Sequence, residues 1–287
     1  MTCKHLIKYL PFYAVSILPM SLLYSFSDML YVLVYHILGY RKNVVQDNIK
    51  KSFPYKSRRE IKEIEKKFYH HFCDLLFEVI KSLTITPEEV KKRLRIRNPG
   101  LLEKYLSNHR DILLYTAHQG NWEWLIFIPL YFPYRSNTFY RPQKNKYFND
   151  LLKIIRQRFG VHLVEERMGY KTIVKLKSEK IQMMNCIIGD QSPTKKSSKY
   201  WQKFLNRPTA FLVGADKIAK KTDQVVIFPH FQKMGRGRYE LFFDLIEDNP
   251  KEDGANIVEK YAERLEKTIQ DSPEMWLWSH RRWKLNS

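Results

Sequence analysis

The first forty residues are the least polar part of the chain. No charged side chain occurs from Tyr9 to Ser27, and a second uncharged run extends from Met29 to Tyr40. The nineteen residues of the first run are just enough to span a bilayer. Pro11 and Pro19 interrupt that run, however. We therefore expect two short apolar helices that insert into a membrane or lie on it, with a single membrane span as the alternative.

Residues 1–40 have two other possible interpretations. A cleaved signal peptide fits poorly, because the apolar region is too long and no small-residue cleavage site closes it. A buried helical hairpin in a soluble protein is the remaining possibility.

Residues 41–95 are charged, with apolar positions at the three- and four-residue spacing of a helix. These positions are Ile61, Ile64, Phe68, Phe72, Leu75, Leu76, Val79 and Ile80. The spacing predicts one amphipathic helix. Pro87, followed by two glutamates, predicts the first turn of a further short helix.

Between residues 96 and 287, short apolar runs alternate with helical stretches, which is typical of an α/β domain with a largely parallel central sheet flanked by helices. The predicted strands are Asp111–Ala117, Asn137–Tyr140, Val161–Val164, Gln182–Gly189, Val225–Phe228 and Tyr239–Ile246. Gly235–Arg238 predicts a hairpin between the last two, at one edge of the sheet. A final helix is expected from Glu252 to Gln270.

Charge narrows the set of partners. The chain has 50 Lys and Arg against 30 Asp and Glu, a formal net charge of +20, which favours an anionic membrane, an acidic carrier protein or a nucleic acid. Cys3, Cys73 and Cys186 are odd in number and widely spaced, so they indicate neither a disulfide framework nor a zinc site.

The segment DILLYTAHQGNWEWLIF carries the candidate chemistry. An apolar strand runs into His118, turns at Gly120, and restarts as a helix with Asn121 as its expected N-cap. His118 would then lie at the carboxyl end of a strand, with Glu123 beside it in the first helical turn. A carboxylate that holds the imidazole in one tautomer makes it a general base. The alternative is a capping histidine beside a surface glutamate, and no second ligand at metal-binding spacing occurs nearby.

Several blocks together resemble one known family. HQGNWE contains a histidine and a glutamate at the H-x4-D/E spacing, and it is followed by FYRP, RQRFG, IGDQSP and the closing PEMWLWSHRRWK; LGYRKNVVQDNIKKSFP lies near the start. The chain resembles the bacterial lipid A biosynthesis acyltransferases, the late lauroyl- and myristoyltransferases, within the lysophospholipid acyltransferase superfamily. The resemblance covers nearly the whole chain and implies a glycerol-3-phosphate-acyltransferase-like α/β sandwich.

The resemblance also implies roles for five residues. His118 would be the general base and Glu123 its orienting carboxylate. Arg156 would stabilise negative charge, Asp190 would support the site or bind substrate, and Arg141 would contact phosphate. Without the resemblance, Arg156 could equally be a solvated surface cation, and Asp190 could simply cap a turn.

Two other blocks are less specific. Asn206–Thr209 resembles a family block near the acceptor site. Trp276, Trp278 and Trp283 either pack the domain or lie at the level of lipid headgroups, and packing is the more usual role of tryptophan.

The function implied by the resemblance is direct acyl transfer at the cytoplasmic face of the inner membrane. The donor would be the thioester of acyl carrier protein or acyl-CoA, the acceptor a hydroxyl of a lipid A precursor, and no metal or cofactor would be required. The Gly189-Asp190-Gln191 sequence departs from better-known members of the group, so a lysophospholipid, an ornithine lipid or another glycolipid is an alternative acceptor.

A rival of another class is a non-catalytic basic protein that binds a membrane or a nucleic acid. The chain has no RNP-like motif, and nucleic-acid binding leaves the apolar N-terminal run unexplained. We therefore expect a membrane and an acidic carrier, and no nucleic acid, as partners.

Overall fold

Two apolar helices open the described part of the chain, which in this computed structural model covers residues 7–197 and 199–285. Helix α1 spans Leu10–Ile17 and α2 spans Met20–Tyr31, and α2 continues as a π-helical stretch over Val32–Ile37. The 18 residues from Met20 to Ile37 are long and apolar enough to cross a membrane, and 39% of them are buried against the rest of the protein. The remaining face exposes residues such as Met29. The two short apolar helices expected from the sequence are confirmed.

The charged segment that follows is helical. Helix α3 spans Lys42–Ser52, α4 spans Arg58–Lys81 and α5 spans Pro87–Arg93. Ser57 and Glu60 form a reciprocal capping box at the start of α4, and Thr86 caps α5. The predicted amphipathic helix and the helix that begins at Pro87 are both confirmed.

A seven-stranded sheet forms the centre of the domain, in the order β1-β9-β8-β2-β5-β3-β4. Its strands are β1 (Leu94–Ile96), β2 (Ile112–Thr116), β3 (Arg135–Tyr140), β4 (His162–Glu165), β5 (Met183–Ile188), β8 (Val225–Gly235) and β9 (Arg238–Glu247). All neighbours pair in parallel except β8 and β9, which form the expected hairpin. A separate antiparallel pair comprises β6 (Lys199–Phe204) and β7 (Arg207–Leu212).

Further helices lie between these strands or follow the last of them. They are α6 (Gly100–Ser107), α7 (Lys146–Gln157), α8 (Gly169–Ser178), α9 (Gly214–Thr222) and α10 (Ile257–Asp271), with 3-10 helices at Trp122–Leu130, Glu166–Met168 and Pro273–Met275. Side chains of β2 alternate between two apolar cores, as strand geometry requires. Leu113 and Tyr115 belong to the core that includes residues of α4 and α10, whereas Ile112 and Leu114 belong to the core on the other face. The α/β class with a largely parallel, helix-flanked sheet is confirmed.

The structure differs from the prediction in four places. Strands β1, β6 and β7 were not predicted, because β1 has three residues and β6 lacks a regular alternation of buried and exposed positions. The hairpin therefore lies one strand inside the edge formed by β1. Helix α10 begins at Ile257 rather than Glu252, since Gly254 adopts a left-handed φ of 89° in the preceding turn. The helix after His118 is of the 3-10 type, with three residues per turn.

An arginine of the β8–β9 turn ties the N-terminal helices to the domain. The guanidinium of Arg236 binds both carboxylate oxygens of Asp28 at 2.6 and 3.0 Å and one oxygen of Asp74 at 2.6 and 2.9 Å. It also donates to the backbone carbonyl of Tyr24 at 3.2 Å. The single charge inside the apolar N-terminal segment is thus neutralised by this contact.

We expect Arg236→Met to lower the free energy of unfolding by about 2 kcal/mol, because Asp74 would stay buried with only Ser27 and a more distant Lys233 as partners. Denaturant titration in detergent measures this difference. Arg238→Met, an exposed neighbour in the same turn, serves as the control and should change stability by less than about 0.5 kcal/mol. Equal effects of the two substitutions would contradict the role given to Arg236.

Candidate active site at the carboxyl ends of β2 and β5

The register of the two central strands brings together residues far apart in sequence. Strands β2 and β5 are parallel, and their last residues, Thr116 and Ile188, lie opposite each other. His118 and Asp190 each follow two residues later. Because parallel strands end at the same edge of a sheet, both side chains reach the crevice where α/β folds place ligands.

Asp190 accepts hydrogen bonds from three donors, two of them on His118. Nδ1 of His118 lies 2.8 Å from Oδ1 of Asp190, and the backbone N–H of His118 donates to Oδ2 at 3.1 Å. Nε1 of Trp276 donates to Oδ2 at 2.8 Å. Burial raises the pKa of the Asp190 carboxyl, but the electrostatic interaction with His118 and these hydrogen bonds outweigh burial, so the pKa lies below its ordinary value. Asp190 is therefore an ionised acceptor beneath the imidazole.

This contact determines which ring nitrogen is free. A carboxylate at Nδ1 keeps the proton on that atom, so Nε2 carries a lone pair. The side-chain amide of Gln191 lies 3.2 Å from Nε2 and can donate to it. The ring also lies against Trp122, with centroids 5.1 Å apart, and the side chain is 15% exposed. A neutral imidazole with an accessible lone pair can accept a proton from a hydroxyl.

Glu123 binds Arg156 rather than His118. Nε of Arg156 donates to Oε2 at 2.9 Å and Nη2 donates to Oε1 at 2.5 Å, a two-point contact between guanidinium and carboxylate. Burial raises the pKa of Glu123, while Arg156 and then His118 lower it, and the net pKa is below the ordinary value. The direct contact expected between His118 and Glu123 is absent among the described hydrogen bonds, because Asp190 occupies Nδ1 and the largely buried Arg156 takes the carboxylate.

Arg141 lies apart from this cluster. It follows the end of β3, its side chain is 75% exposed, and it pairs with Glu166 at 2.8 Å. The structure thus brings together four of the five residues predicted from the sequence, as two pairs, and leaves Arg141 at the surface.

The turn after His118 is tightly constrained. Gly120 has a φ of 63°, and a Cβ at that position would lie 2.3 Å from Cβ of Phe231, so no other residue fits. Asn121 does not cap the following helix with its side chain, contrary to expectation: its Nδ2 donates to Oε2 of buried Glu78 at 2.6 Å, and its Oδ1 has no hydrogen-bond partner among the described residues. The ring of His71 contacts the carbonyl of Gly120 at 3.3 Å. Helix α4 thereby supports the turn at two points.

Glu78 also accepts hydrogen bonds at 2.9 Å from the hydroxyls of Tyr24 and Tyr239. One buried carboxylate therefore joins the N-terminal helix α2, strand β9 and the turn after His118. Sequence reasoning missed this role, since the residues involved lie 43 to 161 positions from Glu78. In the sequence, this role is indicated only by the position of Glu78, a glutamate on the apolar face of a predicted helix.

The C-terminal tail packs against the turn after His118. Its backbone pairs with the turn, since Gly120 N–H donates to the Met275 carbonyl and Leu277 N–H donates to the His118 carbonyl. Trp276, Trp278 and Trp283 are all buried, so the packing interpretation of these side chains is confirmed. Within residues 7–197 and 199–285, no group of three or more His, Cys, Asp or Glu side chains could hold a metal ion.

Comparison with known proteins identifies the family. The protein-family model described as "Bacterial lipid A biosynthesis acyltransferase" matches residues 7–285. This chain belongs to that family. The chain is therefore an acyltransferase.

Comparisons with solved structures and with curated proteins give less information about this chain. The crystal structure of the 1-acyl-sn-glycerophosphate (LPA) acyltransferase PlsC from Thermotoga maritima is similar over 94% of this chain and 99% of that one, with 12% identity and a TM-score of 0.39. Similarity at that level carries no argument about function. The search of curated proteins gives no match.

In this lipid A acyltransferase family member, the Glu123–Arg156 pair is expected to be worth far more than an exposed ion pair. Glu123→Gln should lower the free energy of unfolding by about 3 kcal/mol, because Arg156 would stay charged in a mostly buried position. Glu123→Met combined with Arg156→Met should recover most of that loss. Glu166→Gln, which breaks the exposed pair with Arg141, should cost less than about 1 kcal/mol in the same denaturant titration. A double variant no more stable than Glu123→Gln would contradict this account.

The acyltransferase should lose stability in mild acid through His71. Burial, and then the charge of Lys233, lower the pKa of His71 to about 3, and its Nδ1 has no hydrogen-bond partner among the described residues. Above the ordinary pKa of 6.5 the ring is neutral in both folded and unfolded chains, so it adds no pH dependence. Below that pH the unfolded chain binds the proton first, and stability should fall by up to about 1.4 kcal/mol per pH unit until the folded pKa is reached.

His71→Asn keeps a donor near the Gly120 carbonyl and removes the titrating group. Its free energy of unfolding, measured against pH below 6.5, should have a shallower slope than that of the wild type. Identical slopes would show that His71 does not cause the acid sensitivity.

Proposed function

We propose that this acyltransferase moves a fatty acyl chain from the thioester of acyl carrier protein to a hydroxyl of a lipid A precursor, with His118 as the general base. The single observation that carries the mechanism is the contact between His118 and Asp190 at 2.8 Å, which keeps the proton on Nδ1 and leaves Nε2 as the basic nitrogen. In this scheme the acceptor hydroxyl takes the place of the Gln191 amide, which lies 3.2 Å from Nε2. The family name carries the choice of acceptor.

The chemistry requires no covalent enzyme intermediate. As Nε2 of His118 takes the proton, the acceptor oxygen attacks the thioester carbonyl, and a carbon–oxygen bond forms. The tetrahedral intermediate then collapses, the carbon–sulfur bond breaks, and the departing thiolate takes the proton from the imidazolium. Asp190 stabilises that imidazolium while it exists, as the carboxylate does in a Ser-His-Asp triad, with the substrate hydroxyl in place of serine.

Arg156 and Glu123 form the second part of the proposed site. Negative charge develops on the carbonyl oxygen during attack and needs a donor or a positive charge nearby. Arg156 supplies that charge, and Glu123 holds its guanidinium in one orientation through two contacts. In this scheme Glu123 is a positioning residue for Arg156, and Asp190 orients the histidine. Arg141 is proposed only as a peripheral phosphate contact, because Glu166 already pairs with it.

The proposed location is the cytoplasmic face of the inner membrane. Exposed apolar side chains on α1 and α2 provide a surface that would insert among lipids, including Ile17 at 69% and Ile37 at 70% exposure. The positive net charge favours both an anionic bilayer and an acidic carrier. A lysophospholipid, an ornithine lipid or another glycolipid is the alternative acceptor, and acyl-CoA the alternative donor.

Transfer of a labelled myristoyl chain from acyl carrier protein to a tetra-acylated lipid A precursor tests the proposal. We expect the wild type to be active, His118→Ala to lose roughly 10²- to 10⁴-fold in kcat, and Asp190→Asn to lose up to about 10⁴-fold because the tautomer is no longer held. Lys104→Ala, an exposed side chain on α6, is the control and should keep wild-type activity.

Each contrary result has a distinct meaning. Wild-type activity only on a membrane lipid extract would overturn the lipid A precursor as acceptor. A folded His118→Ala variant with wild-type activity would overturn the mechanism. If Asp190→Asn kept full activity while Glu123→Gln lost activity, Glu123 rather than Asp190 would be the residue that orients His118.

A further inference from the structure

A groove of about 890 Å³ lies between α3, the start of α4 and the turn that joins β6 to β7. Its apolar lining comes from Phe53, Pro54 and Ile61. Six cations surround these side chains, against a single carboxylate, that of Glu65. The cations are Lys50, Lys51, Lys56, Arg58, Lys62 and Arg207. The groove therefore combines an apolar floor with a basic rim.

Three of the six rim cations form ion pairs with acidic residues in the described part of the chain, and three do not. Lys51, Lys56 and Lys62 pair with acidic residues at 2.8, 3.6 and 3.2 Å. Lys50 and Arg58 are exposed and form no ion pair within residues 7–197 and 199–285. A surface with uncompensated cations attracts an acidic partner over several ångströms.

The third uncompensated cation is built into the groove. Arg207 is partly buried, its guanidinium lies 3.3 Å from the ring centroid of Trp283, and no carboxylate pairs with it in the described part of the chain. Nε of Arg207 has no hydrogen-bond partner there either. The stacking holds the charge in place, so Arg207 can meet an anionic group without losing much side-chain freedom.

The basic surface continues towards the proposed active site. From Gln191 to Ala215 the sequence contains five Lys and Arg and no Asp or Glu. Arg207 contacts Trp283, whose ring centroid lies 6.0 Å from that of Trp276. Trp276 donates at 2.8 Å to Asp190, the residue that holds His118. Packed side chains of Trp283 and Trp276 thus connect Arg207 of the groove to the residue that holds His118.

We propose that this groove is the docking surface for the acidic carrier protein that delivers the acyl thioester, an inference that rests on the function proposed above. The concave shape favours a protein over a bilayer, because side chains of a docked protein can enter a recess that a flat membrane surface would span. An acidic helix fits the arrangement, with apolar residues on the floor and carboxylates at the rim. The carrier's flexible prosthetic arm would then pass beside the tail to His118.

Charge reversal at the rim tests the assignment. In the transfer assay with myristoyl-acyl carrier protein as the varied substrate, Lys50→Glu combined with Arg58→Glu should raise KM roughly tenfold or more and leave kcat within about twofold. Fluorescence titration should show the same loss in affinity for the holo-carrier. The KM of the wild type should rise with salt, since exposed charges are screened within about 8 Å at physiological ionic strength, and the variant should respond less.

The matched control reverses two charges that do not line the groove. Lys104 and Lys180 are exposed, and Lys104→Glu combined with Lys180→Glu makes the same change in net charge as the test variant. If both variants raise KM equally, net charge rather than the groove governs the carrier, and the docking site is wrong. If the groove variant keeps the wild-type KM, the docking site is also wrong while the proposed function stands.

Two further outcomes separate the proposals. A groove variant that keeps its KM for the carrier but no longer binds phosphatidylglycerol vesicles would assign the groove to lipid headgroups and overturn carrier docking. A wild type that transfers from myristoyl-CoA but neither uses nor binds the carrier would overturn both the donor proposed above and the docking site.

Discussion

The carboxylate of Asp190 connects three parts of the molecule that are distant in sequence. It follows β5, it accepts two hydrogen bonds from His118 at the end of β2, and it accepts a third from Trp276 in the C-terminal tail. Hydrogen bonds to a charged group each contribute about 1.5–3 kcal/mol, and Asp190 is only 3% exposed, so these donors must offset the cost of burying its charge. The same contacts that hold the tail against the sheet therefore also orient the imidazole.

A second buried carboxylate supports the same turn from the other side. Glu78 accepts hydrogen bonds from Asn121, Tyr24 and Tyr239, so the turn after His118, an apolar N-terminal helix and strand β9 share one acceptor. Displacement of α2 would leave Glu78 with an unfilled acceptor position in a buried site. The N-terminal helix is consequently part of the framework of the site, in addition to being the surface proposed to enter the membrane.

The sequence predicted the central strands, the hairpin, the amphipathic helix and the place of His118, because each depends on local periodicity or on one turn. It did not predict which carboxylate meets the histidine. Glu123 is five positions away and was the natural choice, whereas Asp190 is 72 positions away and depends on the register of Thr116 against Ile188. Strand β6 was not predicted for a similar reason: adjacent Tyr200 and Trp201 are both exposed, so buried and exposed positions do not alternate, and pairing with β7 defines the strand.

The distribution of charge separates two physical roles. At the proposed site, partly or fully buried charges form the pairs Arg156–Glu123 and His118–Asp190, since an isolated buried charge is costly. Buried Glu78 is instead held by neutral hydrogen-bond donors. The excess that produces the net charge of +20 lies at the surface, where water solvates it at little cost. Matched buried pairs set geometry, whereas unmatched surface cations set the rate at which an acidic partner arrives. A transferase whose donor arrives on a diffusing acidic protein would need both kinds of charge, in separate places, and the groove beside the C-terminal tail supplies the second.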